Sequence, residues 1–196
     1  MEAGLLGRAG AIVVAEPTDN YPYIGHKGLL WIEAETDGVT AHGSMPDKGD
    51  NALLKMAQVA IRLGEWRFAE DHAVMGRPTL NVATLHSGIN TNSVPDRARL
   101  TMDIRTVPGQ DHAAICAAIS CWCNGARMRI FNDVPSVYTA PENDWVQSIY
   151  DTMAGYLGAR PEPRTITPEK AAKAAYDDQF QRYKQIYPAI KEIKLS

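Results

Sequence analysis

A histidine at position 42 stands in a short polar segment, Thr40-Ala41-His42-Gly43-Ser44-Met45-Pro46. Gly43 and Pro46 are turn-forming residues, so the segment is predicted to be a defined loop rather than a slack one. A histidine held in such a loop can donate a hydrogen bond to an oxyanion as it develops. The residues alone leave open the alternative, which is a surface histidine without a chemical role.

Three further positions carry groups that could bind a substrate or a metal. Glu16 follows a short apolar run, and a carboxylate at the carboxyl end of a buried strand can ligate a metal ion. The loop 87–96, which includes Asn92, is dense in amides and hydroxyls that could hold a substrate. Arg105 could bind a carboxylate through two parallel hydrogen bonds. Each also has an interpretation without chemistry. Glu16 could be a strand end that faces solvent, the polar groups of the loop 87–96 could only complete the hydrogen bonds of a turn, and Arg105 could only solubilise an exposed face.

The other histidines and the cysteines form no metal motif. The four remaining histidines lack the H-E-x-x-H spacing of a zinc helix, and Cys121 and Cys123 are two residues apart in a predicted helix, where they point in different directions. The sequence has no G-x-G-x-x-G, no P-loop and no G-x-S-x-G. Buried structural thiols are therefore the favoured interpretation of the cysteines.

Alternating apolar and polar residues predict four strands, and apolar residues at helical spacing predict two helices between them. The first helix is expected to be capped by Asp50 and to end at Gly64, and the second to begin near 111 and end at Asn124-Gly125. The strands are expected at 29–37, 79–86, 97–105 and 126–132. The apolar stripes of the helices are Leu53, Met56, Ala57, Ala60 and Leu63, and then Ile115, Ala118, Ile119 and Trp122.

The resulting order is β-α-β-β-α-β, which is that of a ferredoxin-like fold: a two-layer α+β sandwich with four antiparallel strands and two helices on one face. Outside it, 11–16 is predicted to be a buried strand and 144–157 a helix. Residues 159–168 are rich in proline and arginine and are expected to form a linker. A helical tail is expected to start at Thr167-Pro168, which are typical helix-opening residues.

Composition places the chain among globular proteins. The 196 residues are 45% hydrophobic, a composition that excludes wholesale disorder. The net charge is −3, so the chain has no excess of positive charge with which to bind the phosphates of a nucleic acid. The strand 97–105 also has no aromatic residue on which bases could stack. The apolar run at 11–15 is too short to span a membrane, and three cysteines suit a reducing compartment. These features predict a cytoplasmic protein with no nucleic-acid or membrane partner.

Five segments, taken in order, resemble one family: the acetylornithine deacetylase and succinyl-diaminopimelate desuccinylase group of family-20 metallopeptidases. The five segments are Glu16-Pro17-Thr18, His26-Lys27-Gly28-Leu29-Leu30-Trp31, Ala41-His42-Gly43-Ser44-Met45-Pro46 with Gly49-Asp50-Asn51-Ala52, Gly88-Ile89-Asn90-Thr91-Asn92-Ser93-Val94-Pro95-Asp96, and Asp103-Ile104-Arg105. In this family a ferredoxin-like lid, or dimerisation, domain is inserted into a catalytic domain that holds two zinc ions. The resemblance covers about residues 1–166.

The resemblance implies a role for each matching residue. Glu16 matches a zinc ligand, His42 matches the lid histidine that donates to the tetrahedral intermediate in the partner subunit's active site, and Asn92 and Arg105 match substrate-binding positions. It also implies a homodimer and a small N-acyl amino acid or peptide as substrate. The implied domains are 1–23 and 135–166 from the catalytic domain, 24–134 as the lid, and 167–196 as a tail of separate origin, which resembles a xylulokinase C-terminus.

Most of the family's zinc ligands and its general base match no residue of these 196. Such ligands would precede Glu16 or follow residue 166, and no histidine follows His112. A catalytic zinc needs about three protein ligands and an open water position. The expectation is therefore the lid portion of a zinc-dependent amide hydrolase, inactive and without zinc as this polypeptide alone. The alternative is a stand-alone, non-catalytic dimerisation module.

Metal analysis of the purified chain tests this expectation. We predict no stoichiometric zinc and no turnover of N-acyl amino acids or dipeptides, because one candidate ligand cannot hold a catalytic metal. Two zinc ions per chain together with hydrolysis would show that these residues form a complete active site.

Overall fold

A computed structural model describes residues 10, 11, 13, 22–158 and 161. The chain divides into two units, Met1–Pro163 and Arg164–Ser196, and all described residues belong to the first. In chain order the elements are β1 (Gly25–His26), β2 (Gly28–Asp37), α1 (Ala52–Glu65), β3 (Thr79–Ser87), β4 (Arg97–Thr106), α2 (His112–Trp122), β5 (Arg127–Val134), β6 (Val137–Tyr138) and α3 (Asp144–Leu157).

The four long strands form one antiparallel sheet in the order β3-β4-β2-β5. Apolar and polar residues alternate along both central strands, β2 and β4. Their register places Leu30 opposite Ile104 and Ala34 opposite Leu100. All four predicted strands and both helices are present in the predicted order. The ferredoxin-like β-α-β-β-α-β fold is therefore confirmed.

Helices α1 and α2 cover the same face of the sheet and share one hydrophobic core. Burial on this face follows from the period of two in a strand, which sends every second side chain of β2 and β4 to the helices. The buried residues of the strands are Leu30, Ile32, Ala34, Ala98, Leu100, Met102 and Ile104, and those of the helices are Ala52, Met56, Val59, Leu63 and Ile119, with Cys123 just after α2.

The expected ends of α1 are wrong by a residue or so at each terminus. The capping residue is Asn51, whose side chain accepts a hydrogen bond from the backbone N–H of Leu54 at 3.2 Å. Asp50 instead continues extended backbone, paired with Val39, and its side chain forms an ion pair with Lys55. Gly64 lies within the helix, which ends at Glu65.

The expected apolar stripe of α2 is wrong at two of its four positions. Ile119 is buried and Ile115 half-buried, but Ala118 and Trp122 are exposed, and Cys116 and Cys123 face the core in their place. Trp122 lies over the end of α1 instead, where its Nε1–H donates to the Arg62 carbonyl at 3.2 Å. Burial raises the pKa of the Cys116 and Cys123 thiols, which favours their protonated form, whereas Cys121, for which burial was also expected, is exposed.

Two short strands lie beside the main sheet where the chain enters and leaves it. β1 and β6 pair with each other, Gly25 opposite Tyr138. Strands of two residues are too short to produce a periodic signal, so the sequence did not predict them. Helix α3 confirms the prediction for 144–157. The predicted strand 11–16 and the tail from 167 lie, wholly or for the most part, outside the described residues. None of the described helices has the length and apolar content needed to cross a bilayer.

The face of the sheet away from the helices carries a ladder of ion pairs. The acidic side chains of β2 lie between arginines of β4 and β5: Glu35 accepts from Arg99 at 2.8 Å and from Arg127 at 2.5 Å. Arg127 also pairs with Asp37. These contacts lower the pKa of Glu35, chiefly through Arg99, and the pKa of Asp37, chiefly through Arg127. The ladder therefore favours the ionised carboxylates.

The lowered pKa of Glu35 predicts a pH-dependent contribution to stability. A carboxylate with a depressed folded-state pKa stabilises the fold above its unfolded pKa, and this contribution disappears as the pH falls through the folded value. Glu35→Gln should therefore lower the urea midpoint at pH 7, with the gap to wild type closing below about pH 4. Glu70→Gln, at an exposed site, is the control and should leave the midpoint unchanged. If the urea midpoint of Glu35→Gln stays below that of wild type by the same amount at pH 3, the assignment of a lowered pKa to Glu35 is contradicted.

Candidate functional site

The loops that contain His42 and Asn92 are joined by backbone hydrogen bonds. His42 pairs with Ser93 in an antiparallel bridge, the Gly43 N–H donates to the Asn92 carbonyl at 2.7 Å, and the Val94 N–H donates to the Ala41 carbonyl at 2.8 Å. Two candidates that are 50 positions apart in sequence thus lie side by side. Because the link is made by main-chain atoms, it does not depend on the side chains of His42 and Asn92.

Gly43 makes this close approach possible. A Cβ atom at position 43 would stand 3.1 Å from both the carbonyl carbon and the carbonyl oxygen of Asn92. That is tighter than ordinary van der Waals contact, so a larger residue would push the loops apart. The turn residue singled out in the sequence therefore has a packing reason for being glycine.

The paired loops are anchored to the core by the segment that leads into β4. Val94 is buried, the Pro95 carbonyl accepts from the Ala52 N–H at 2.9 Å, and the Asp96 carbonyl accepts from the Gly38 N–H at 2.7 Å. The other end of the loop is open, because the Ile89 side chain is 95% exposed. The site is thus rigid at its base and presents its tip outward.

The imidazole of His42 is exposed and lies against Ser44. The backbone N–H of Ser44 donates to His42 Nδ1 at 3.2 Å, and the Ser44 hydroxyl oxygen is 2.8 Å from the same nitrogen. Asn92 is exposed beside it. The two side chains can therefore offer hydrogen bonds to a molecule outside this surface.

Arg105 lies far from His42 and Asn92. The loops stand before the first residue of β4, whereas Arg105 is near its last, which at about 3.4 Å per residue is a separation of about 27 Å. Arg105 is held by Asp103, which accepts from its Nε at 3.1 Å and from its Nη2 at 3.0 Å. Asp103 in turn accepts from Trp31 Nε1–H at 3.0 Å. The structure therefore brings two of the three described candidates together and separates the third.

Two residues of the site were missed in the sequence. Ser44 contacts His42 and Asp103 orients Arg105, and both were quoted in motifs without a role. Asp103 could have been found, because residues two apart in a strand share a face. Ser44 could not, since the contact depends on the shape of a turn.

The described residues do not fit a metal site. Among them, no three His, Cys, Asp or Glu side chains are grouped so that they could hold a metal ion. Glu16, the candidate zinc ligand, lies outside the described part of the chain. Its role stays a prediction.

The fold and its paired loops define a class of protein, an α+β domain with a ferredoxin-like sheet and a rigid polar loop pair at one end of it. Residues 24–126, which are more than half of the chain, match the family model described as the peptidase dimerisation domain of M20 peptidases. The chain belongs to this family. The resemblance inferred from the five motifs is therefore confirmed.

Curated relatives support the same family. An acetylornithine deacetylase of Myxococcus xanthus is 33% identical over 116 residues, which are 56% of this chain and 30% of the relative. A succinyl-diaminopimelate desuccinylase of Corynebacterium glutamicum is 30% identical over 105 residues, 53% of this chain and 28% of the relative. The chain spans less than half the length of the curated relatives that it matches.

A solved structure shows the same fold. An M20 family metallo-carboxypeptidase from Sulfolobus solfataricus superposes with a TM-score of 0.57 at 16% identity, over 82% of this chain and 51% of that one. The shared architecture thus extends beyond the part of the chain that the family model matches.

Proposed function

We propose that residues 24–134 are the lid of a zinc-dependent amide hydrolase, a deacylase or peptidase acting on N-acyl amino acids or small peptides. The flanks 1–23 and 135–166 would belong to its catalytic domain, which would hold the zinc. The supporting observation is the rigid pairing of an exposed His42 with the Asn92 loop on a peptidase dimerisation domain. In this role His42 donates to the oxyanion, and Asn92 and Arg105 bind substrate.

The positions of these residues support action across a dimer. A small substrate cannot touch both His42 and Arg105 of one chain, because about 27 Å of strand separates them. In a two-fold dimer, each substrate can meet Arg105 of one chain and His42 with Asn92 of the other. His42 therefore serves the active site of the partner subunit.

The outer edge of β3 is the surface that we assign to the second copy. A free edge strand pairs readily with another chain unless charges or prolines oppose it. The nine residues of β3, TLNVATLHS, include no lysine, arginine, aspartate or glutamate. The opposite edge, β5, carries Arg127, Arg129 and Asp133. Pairing of two β3 strands would extend both sheets across a two-fold axis.

Helix α1 adds a second layer to this edge. Ala60 and Gly64 line a groove of about 520 Å³ together with Leu80 and Val82 of β3, so this side of the helix borders the free edge. Ala57 lies on the same side at helical spacing. Small side chains let a helix of the second copy approach closely while the two β3 strands pair.

We also assign the chain to the cytoplasm. Its three cysteines are unpaired, which is the usual state in a reducing compartment.

Changing the β3 edge should dissociate the dimer. Leu85 is 37% exposed on β3 and Phe131 is 45% exposed on β5, so each lysine variant places a charge on one of the two opposite edges of the sheet. We predict that light scattering at micromolar concentrations finds a dimer for wild type and Phe131→Lys, and a monomer for Leu85→Lys. A wild-type monomer, or dissociation by Phe131→Lys alone, would overturn the choice of edge.

Subunit mixing tests the action of His42 across the dimer. Residues 24–134 are placed in the acetylornithine deacetylase of Myxococcus xanthus in exchange for its own lid. Subunits with His42→Ala are then mixed with subunits that lack the general base. We predict that each homodimer loses activity, His42→Ala by about 10²–10³-fold because one oxyanion donor is lost.

The mixed dimer should regain about one active site, since it joins an intact base to an intact histidine. If His42 acted within its own chain, no mixture would regain activity. A fully active His42→Ala homodimer would end the hypothesis.

A further inference from the structure

A neutral histidine can donate from only one of its two ring nitrogens. The proton is on Nδ1 or on Nε2, and the hydrogen bond made by one nitrogen decides the state of the other. To reach a substrate in another subunit, His42 must keep its proton on the nitrogen that points away from its own loop. The contacts of its ring therefore bear directly on its proposed role.

Ser44 makes two contacts to His42 Nδ1. Its backbone N–H donates to this nitrogen at 3.2 Å, and its hydroxyl oxygen lies 2.8 Å away. A backbone N–H can only donate, whereas a hydroxyl can rotate to donate or accept. The Nε2–H tautomer satisfies both contacts, since Nδ1 then accepts. The Nδ1–H tautomer would set two N–H groups against each other.

The turn holds Ser44 in this place. The Met45 N–H donates to the His42 carbonyl at 2.8 Å, which closes the turn around Ser44. The Gly43 N–H is fixed to the Asn92 carbonyl at 2.7 Å on the other side. Within the described part of the chain, no residue forms a hydrogen bond with Nε2 of His42. The Nε2–H group thus remains available to a ligand.

We propose that Ser44 is a positioning residue that keeps neutral His42 in the Nε2–H tautomer, with Nδ1 held as an acceptor. Ser44 does not touch the substrate and acts only through His42. The catalytic meaning of this tautomer rests on the proposed function, since only a donor role for His42 requires it. The tautomer itself is a property of the 196-residue chain and can be measured in it without any reaction.

Two-bond ¹H–¹⁵N correlation spectra of the full chain test the proposal. Nitrogen-15 shifts distinguish a protonated from an unprotonated ring nitrogen, and the His42→Gln variant assigns the His42 signals by their loss. At a pH above the histidine titration, we expect His42 to show an unprotonated Nδ1 and a protonated Nε2. A histidine without constraint shows shifts averaged between its two tautomers.

Four serine variants separate positioning from general loop structure. Ser44→Ala loses the hydroxyl and Ser44→Pro loses the N–H donor, so both should shift the His42 signals toward averaged values, Ser44→Pro further. Ser44→Thr keeps both groups and should match wild type. Ser93→Ala, whose hydroxyl contacts Asn90 at 2.5 Å, is the control in the same loop pair and should leave His42 unchanged. The Val94 amide signal reports whether the loops stay paired in each variant.

An averaged His42 in the wild-type chain, or a protonated Nδ1, would overturn the proposal. So would Nε2–H signals that persist unchanged in both Ser44→Ala and Ser44→Pro while the Val94 amide keeps its position. Failure of the proposed function has a different signature, namely a fully active His42→Ala enzyme with the tautomer as expected. The two hypotheses can therefore fail separately.

Discussion

The pairing of β2 with β4 is the constraint on which the rest of the structure depends. Their register sets Leu30, Ile32 and Ala34 opposite Ile104, Met102 and Leu100, and the two helices bury that entire face. A shift by one residue would turn these side chains to solvent, at about 1.5–3 kcal/mol for each large apolar side chain exposed. Because the register cannot slip, the opposite face is fixed as well, and Glu35 must lie between Arg99 and Arg127.

The same pair of strands sets the distance between the two halves of the candidate site. The His42 and Asn92 loops stand at one end of β4 and Arg105 stands near the other, so strand length alone keeps them apart. A longer side chain or a local rearrangement cannot close about 27 Å. Under the proposed function, a substrate that contacts both halves of the site therefore needs a second copy of the chain. In that proposal, the uncharged β3 edge beside the small side of α1 is the surface that faces the second copy.

The sequence predicted what periodic patterns can report and missed what single contacts decide. The strands of the core were located because alternation over eight or more residues reflects burial of a whole face. The N-cap of α1 was predicted less accurately, because Asp50 and Asn51 are both good capping residues. Only the backbone pairing of Asp50 with Val39 leaves Asn51 as the cap. For the candidate site, motif resemblance proposed His42 and Asn92 as functional residues, and the structure places their loops side by side. Their adjacency comes from a bridge between distant loops, which no local pattern contains.

The construction of the loop pair separates its geometry from its chemistry. The loops are joined by main-chain groups of Gly43, Asn92, Ala41 and Val94, while the exposed side chains of His42 and Asn92 take no part in that link. Substitution at the two exposed positions can therefore change what the site donates or accepts without moving the loops. Gly43 has no such freedom, since any Cβ meets the Asn92 backbone. A frame made by main-chain groups can keep the place of His42 constant while the side chain at position 92 varies, so that one fold can carry sites of different specificity.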